Sequence, residues 1–222
     1  MEVKIYRNDL PDIPKRLRRR PIERGYPVPW FVAFVDGHYD FRVIGSGKIK
    51  QAGIEKRCWI CGDQIGVNLC FPIGPMCAIN RISSEPPSHF ECAEWSSRAC
   101  PFLLNKEPER RTSNLPQGVV DAAGCPINRQ PGVILLWVTN SYRIVQGSIG
   151  SERGNKGILF RVGDPVRTLW MREGREATRE ECLHSIESGY PILMDAARQD
   201  GAPAIQQLEK MRSEAFTLLP AA

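Results

Sequence analysis

No stretch of this chain is apolar for long enough to cross a bilayer: the longest run, residues 133–138, falls far short of the roughly 20 residues a spanning helix needs. The N-terminus carries Glu2 and no apolar core segment, so no secretory leader is expected. Histidine is scarce, with three in 222 residues, which leaves little material for a catalytic site built on imidazole. Nucleophile-elbow, protein-kinase and dinucleotide fingerprints are missing, as are internal repeats and low-complexity tracts. These absences set aside a membrane partner, a solenoid and several large enzyme classes.

The bulk composition is ordinary. Hydrophobic content of 42% and charged content of 25% fit a globular chain. The length allows one large domain or two small ones. The net charge of +5 is unevenly placed: residues 1–30 carry eight Lys/Arg and four Asp/Glu, whereas residues 175–222 carry five against eight. The basic character therefore belongs to the N-terminal arm.

Cysteine is plentiful. Of eight in the chain, six fall within residues 57–103. Cysteines spaced C-x-x-C without an export signal point to a reducing, cytoplasmic setting and to metal rather than disulfides. In Cys58-Trp59-Ile60-Cys61-Gly62, two thiolates can meet one ion if the backbone turns tightly, and Gly62 suits the left-handed conformation such a turn needs. After 27 intervening residues, 62–88, come His89 and Cys92, three apart on one face of an expected helix. Pro86 and Pro87 block a helix from upstream, and Ser88 with Glu91 has the spacing of a capping box. Residues 58–92 thus have the layout of a treble-clef zinc module. Three thiolates and one imidazole suit tetrahedral zinc, so a structural Zn2+ on Cys58, Cys61, His89 and Cys92 is expected. The competing reading is that these cysteines are small buried apolar residues. Cys70, Cys77 and Cys100 either replace a ligand or belong to the core, and Cys125 has no partner nearby in sequence.

A closed site of this kind stabilises a fold and argues against catalysis, so no catalytic residue is assigned. His89-Phe90-Glu91 has the H-x-E spacing of zinc deaminases, but it follows the C-x-x-C pair instead of preceding it, and Cys92 would close the position that water needs. A treble-clef nuclease would call on further histidines, yet His38 and His184 stand in no motif. Lys15, Arg16, Arg18, Arg19 and Arg20 lie in the proline-broken arm. Such a segment can lie along a phosphate backbone and gain affinity by releasing counterions; alternatively it is a solvated tail. No aromatics interleave with it for base stacking. The expected function is a zinc-stabilised, non-enzymatic binding protein contacting DNA or RNA through the arm. The alternative is a protein-binding modulator or inhibitor of host machinery.

The run from Trp59 to Gly62, Ile73-Gly74-Pro75-Met76-Cys77, Ser84-Glu85-Pro86-Pro87, Glu91-Cys92-Ala93-Glu94-Trp95 and Ala99-Cys100-Pro101-Phe102-Leu103 resembles a group of uncharacterised zinc-knuckle-like proteins of bacteria and their phages. The resemblance extends to residues 24–32 and to parts of the C-terminal half. It implies a phage or mobile-element setting and brings no activity with it.

The rest of the chain reads as α+β: antiparallel hairpins, the treble-clef-like zinc module and a helical C-terminus. Asp36-Gly37 between residues 30–35 and 39–44 predicts a β-hairpin. A short helix is expected over 45–56, a strand over 67–73 and a helical turn over 76–82. Residues 132–146 read as strand, turn, strand, and residues 158–162 and 166–171 as two more strands. The glycine-rich loop 147–157 lacks P-loop spacing and precedes a strand, which argues against a phosphate cradle. Thr178 with Glu181 forms a second capping box. It opens a helix expected to stop at Ser188-Gly189, with another from Pro191 to Gly201 and a last from Pro203. Ile205, Leu208, Met211 and Ala215 make a core-facing stripe. The expected divisions are the arm at 1–28, hairpin plus zinc module at 29–104, a loop or linker at 105–131, and an α+β lobe at 132–222 that can pack with 29–104 as one domain.

Overall fold

A computed structural model describes residues 5–104, 132–147 and 157–221. The proposed linker at 105–131, Cys125, and most of the glycine-rich loop at 147–157 therefore lie outside the described residues.

The fold is α+β with antiparallel sheets and a helical C-terminus. A 3-10 turn at Leu17–Arg19 leads into the two-residue strands β1 (Ile22–Glu23) and β2 (Tyr26–Pro27), which pair with each other. Next comes the expected hairpin, β3 (Val32–Val35) and β4 (His38–Ile44). Its turn residues Asp36 and Gly37 have φ of 48° and 83°, the doubly left-handed geometry that matches the twist of a two-residue hairpin. Helix α1 (Lys48–Glu55) follows, then β5 (Leu69–Ile73), α2 (Pro75–Asn80), β6 (Ile82–Ser83), α3 (Phe90–Ala99) and α4 (Pro101–Leu104). The C-terminal half holds β7 (Ile134–Thr139), β8 (Tyr142–Gly147), β9 (Gly157–Val162), β10 (Pro165–Arg172), β11 (Arg175–Glu176), α5 (Arg179–Asp200) and α6 (Ala202–Phe216).

Two sheets organise these elements. One has the order β11-β10-β7-β5 and the other β6-β9-β8. Strand β7 is central and buried at every position. Its alternate residues separate cleanly, as the two-residue period of a strand requires. Leu135 and Trp137 join Phe71, Ile79, Ile186 and Leu208 on the side of α2, α5 and α6. Ile134, Leu136 and Val138 join Cys70, Ala93 and Met171 on the side of α3. A continuous apolar run such as 133–138 is what a strand covered on both faces needs.

Strands β7 and β8 do not pair with each other across Asn140-Ser141. Instead β7 pairs with β10 and β8 with β9. Thr139 faces Pro165 and Tyr142 faces Val162, so these strands are two halves of one long antiparallel ribbon, bent where it leaves one sheet for the other. Gly163 sits in the bend and donates its N–H to the Ser141 carbonyl at 3.0 Å. A Cβ there would come within 2.7 Å of that same oxygen, so the corner requires glycine.

Helix α5 runs unbroken through Ser188, Gly189 and Pro191, where a stop was expected. Packing outweighs the local signals. Gly189 is buried against Met76 of α2, and a Cβ would lie 3.1 Å from that side chain. The proline removes one backbone donor but leaves a helix held along its length by α2 and α6. At its start the capping box is complete: Glu181 N–H donates to Thr178 Oγ1, and Thr178 N–H to Glu181 Oε2. In α6, Leu208 and Ala215 are buried, and Ile205 and Met211 pack against the same core. Among the described residues no helix is long and apolar enough to cross a membrane.

Candidate metal centre

The C-x-x-C turn is the tip of a short antiparallel pair. Arg57 bridges to Gln64, and the N–H of Ile65 donates to the Lys56 carbonyl. Between them the chain closes on itself: Gly62 N–H donates to the Cys58 carbonyl at 2.8 Å, and Cys58 N–H to the Asp63 carbonyl at 2.8 Å. Gly62 has φ of 84°, and a side chain there would overlap the Trp30 ring. Both facts demand glycine at this turn.

The second half-site is the start of α3. Cys58 Sγ accepts N–H groups from Cys61 and from His89, each at 3.4 Å, so one sulfur ties the turn to the helix entry. His89 Nδ1 lies 3.4 Å from Cys61 Sγ, and its Nε2 is 3.1 Å from the Gln64 carbonyl. That contact assigns the roles of the ring nitrogens: Nε2–H donates to Gln64, leaving the Nδ1 lone pair directed at the sulfurs. The donor atoms of Cys58, Cys61, His89 and Cys92 all lie within 4.8 Å of one another. The three cysteines are buried and His89 is half-buried. Four side chains from two chain segments thus form a single group that could hold a metal ion.

The helix start differs from the expected capping box. His89, not Ser88, is the N-cap residue, and no side chain caps α3. Ser88 is held extended because its N–H and carbonyl both pair with Cys70. Its Oγ is buried without a partner among the described residues, and Glu91 turns away to Arg16. With His89 at the cap and Cys92 three residues on, the helix begins where both donors face the C-x-x-C turn.

The protein groups alone compete for charge here. Burial opposes a thiolate on Cys58, but hydrogen bonds from Cys61, Cys92 and His89 outweigh it and drive that thiol down. Hydrogen bonding to Cys58 and Cys61 holds the Cys92 thiol protonated, far above its usual range. Hydrogen bonds to Cys58 and Cys61 also push His89 up to about 10. A dication held here would resolve this competition, because its charge would let the sulfurs ionise and leave the imidazole neutral.

The predicted arm packs against this centre. Leu17 is buried in the core, and Trp95 donates its indole N–H to the Pro11 carbonyl. Arg16 bridges Glu91 at 2.8 Å and Asp63 at 3.3 Å, and Arg19 pairs with the same Asp63 carboxylate. Arg20 is half-buried on the Val28 carbonyl, and burial lowers its pKa. Arg16 is raised chiefly by its hydrogen bond to Glu91, and both arginines also feel the charge of Cys61. Arg18 donates to the Ile13 carbonyl, and Lys15 is exposed. The structure therefore brings Arg16 and Arg19 onto Asp63 beside the C-x-x-C turn and Arg20 within reach of the Cys61 charge. No sequence motif marks Asp63 or the Gln64 carbonyl as partners here, because both contacts arise only when segments far apart in the chain meet.

Cys70 is fully buried, and burial pushes its thiol up. Burial also raises Cys77 to about 11 and Cys182 to about 12. Among the described residues none of these, nor Cys100, joins the four-residue group; Cys70, Cys77 and Cys182 pack with the apolar core. The segment between the half-sites does not form a local hairpin: β5 pairs with β7, and β6 with β9. Compared with protein-family models, curated proteins and solved structures, the chain matches none.

Proposed function

We propose that Cys58, Cys61, His89 and Cys92 hold one structural Zn2+ in a treble-clef-like centre, and that the protein is a non-enzymatic binder of nucleic acid. The observation that supports the zinc reading most is the donor set: three sulfurs and one imidazole nitrogen within 4.8 Å of one another, on a turn and a helix start. Soft thiolates with imidazole favour zinc over oxygen-loving cations, and four protein donors fill a tetrahedral shell. Bound there, the ion supplies folding energy by clamping the turn at residues 58–62 to α3. Glu91 is engaged by Arg16 and is not placed as a proton shuttle.

The nucleic-acid reading rests on the basic arm being held in place. Arg19 keeps 67% of its side chain exposed while pairing with Asp63, and Lys15 and Arg18 are also exposed. Cations fixed on a folded surface lose less freedom when they meet phosphates than cations on a trailing tail. The resemblance to proteins of bacteria and their phages supports a phage or mobile-element setting.

Zinc content by mass spectrometry, together with anisotropy of labelled DNA and RNA at rising salt, tests both parts. The expected result is one zinc per chain and an affinity that falls steeply with salt. Protein that folds without bound metal removes the zinc reading. Failure to bind either nucleic acid at low salt leaves docking on a host protein as the function.

A further inference from the structure

Most arginines among the described residues are satisfied internally. Among the described residues, Arg7, Arg16, Arg19, Arg42, Arg57, Arg81, Arg98, Arg172, Arg175 and Arg198 form ion pairs. Arg18, Arg20 and Arg179 donate to carbonyls. Arg167 and Arg212 lie over aromatic rings. Arg24, Arg143 and Arg161 stand apart from this pattern, and of these three Arg143 and Arg161 are neighbours. They are directly opposed in the β8–β9 register, and both are exposed.

Directly opposed residues on antiparallel strands place their Cβ atoms about 5 Å apart, and like charges in that position repel. Among the described residues their strand neighbours offer no relief. Along the same face the neighbours are Ser141 and Val145 on β8's side and Leu159 and Gly163 on β9's, and across the sheet Arg161 faces Ile82. None of these is acidic. A local arrangement that costs stability without a visible compensation marks a position kept for another purpose.

We propose that Arg143 and Arg161 together form a phosphate-contact site for a nucleic-acid backbone. Two guanidinium groups side by side present a double fork of N–H donors, which suits the non-bridging oxygens of a phosphodiester. Both side chains are exposed beside the buried Leu159 and Ile82 of the same face, which gives an extended polyanion a local cationic contact. The site deepens the nucleic-acid reading above and adds a contact surface separate from the arm. Its cost to the free protein is repaid on binding, because the phosphate relieves the repulsion as it arrives.

The test uses the full, zinc-loaded chain and a short fluorescein-labelled DNA duplex, with matching single-stranded DNA and RNA. Arg143→Ala/Arg161→Ala is expected to weaken binding about tenfold and to make the log–log salt slope shallower by about 2, as the loss of two phosphate contacts requires. The same variant should melt no lower than the parent, since removing two opposed charges relieves strain. Arg143→Lys/Arg161→Lys should retain much of the salt slope. If the parent binds and the alanine variant matches it in affinity and slope, the site is wrong while the nucleic-acid reading survives. If the parent binds none of the three probes at low salt, both fall together. Competition by poly-glutamate as strong as by unlabelled DNA would assign the pair to an acidic protein partner and overturn the proposal.

Discussion

The start of α3, in the cysteine-rich middle, and the start of α5, in the C-terminal half, carry the same spacing of hydroxyl residue and glutamate. At α5 both reciprocal hydrogen bonds between Thr178 and Glu181 form. At α3 neither Ser88 nor Glu91 caps the helix. The difference lies outside the four residues. Thr178 has no competing engagement among the described contacts, whereas Ser88 is fastened on both sides to Cys70. His89 and Cys92 must also face the C-x-x-C turn. A helix end can therefore be fixed by its own side chains or by what it has to reach, and where the two conflict the longer-range contact prevails.

The largest test removes what α3 has to reach. Cys58→Ser or Cys92→Ser should lose zinc and unfold the middle of the chain, because binding energy at a structural zinc is comparable with or larger than the roughly 5–15 kcal/mol stability of a whole domain. Zinc content and a circular-dichroism melt check this; a folded, metal-free variant would contradict it.

Next comes the pair of caps. Thr178→Ala should cost about 1 kcal/mol in urea denaturation, and Ser88→Ala less than about 0.5 kcal/mol, since only the first removes a capping bond. Equal costs would erase the distinction drawn here.

Acid should bring the two starts closer together. Hydrogen bonding to Arg175, opposed by burial, holds the Glu181 carboxyl down at about 2, against an ordinary 4.5. Because the folded value is the lower one, its stabilisation is complete above the ordinary value and is lost as pH falls towards about 2. Asp40, held at about 2 mainly by its hydrogen bond to Arg42, titrates in the same window. The informative quantity is therefore the difference between the parent and Glu181→Gln, which should shrink as pH falls; a constant difference would count against the carboxylate's role.

The smallest expected effect is at Arg16. Its side chain is 41% exposed, so Arg16→Ala should change global stability by less than about 1 kcal/mol. Limited proteolysis should nonetheless cut the arm sooner, because Arg16 links it to both Asp63 and Glu91.

Much of the candidate centre was legible in the sequence because its donors come as two local pairs, Cys58 with Cys61 and His89 with Cys92, each within reach of one backbone turn. The β3–β4 hairpin was legible through Asp36-Gly37, and the α5 cap through Thr178 and Glu181, again because the physics is local. The pairing of β5 with β7 and of β6 with β9 was not, since antiparallel partners far apart in sequence leave no short-range signal. The continuity of α5 was hidden for a related reason: Gly189 reads as a helix stop, and only Met76, distant in the chain, shows why it is small. The arm's docking depends on Asp63 and Glu91, which carry no mark of that role.

The ribbon bent at Gly163 belongs to both sheets at once, β7 and β10 on one side of the corner and β8 and β9 on the other. Neither sheet can come apart without dragging strands out of its neighbour. Heat should thus take the described core apart in one cooperative step, with calorimetric and van't Hoff enthalpies in agreement, and damage at the corner should be felt as a loss of the whole molecule.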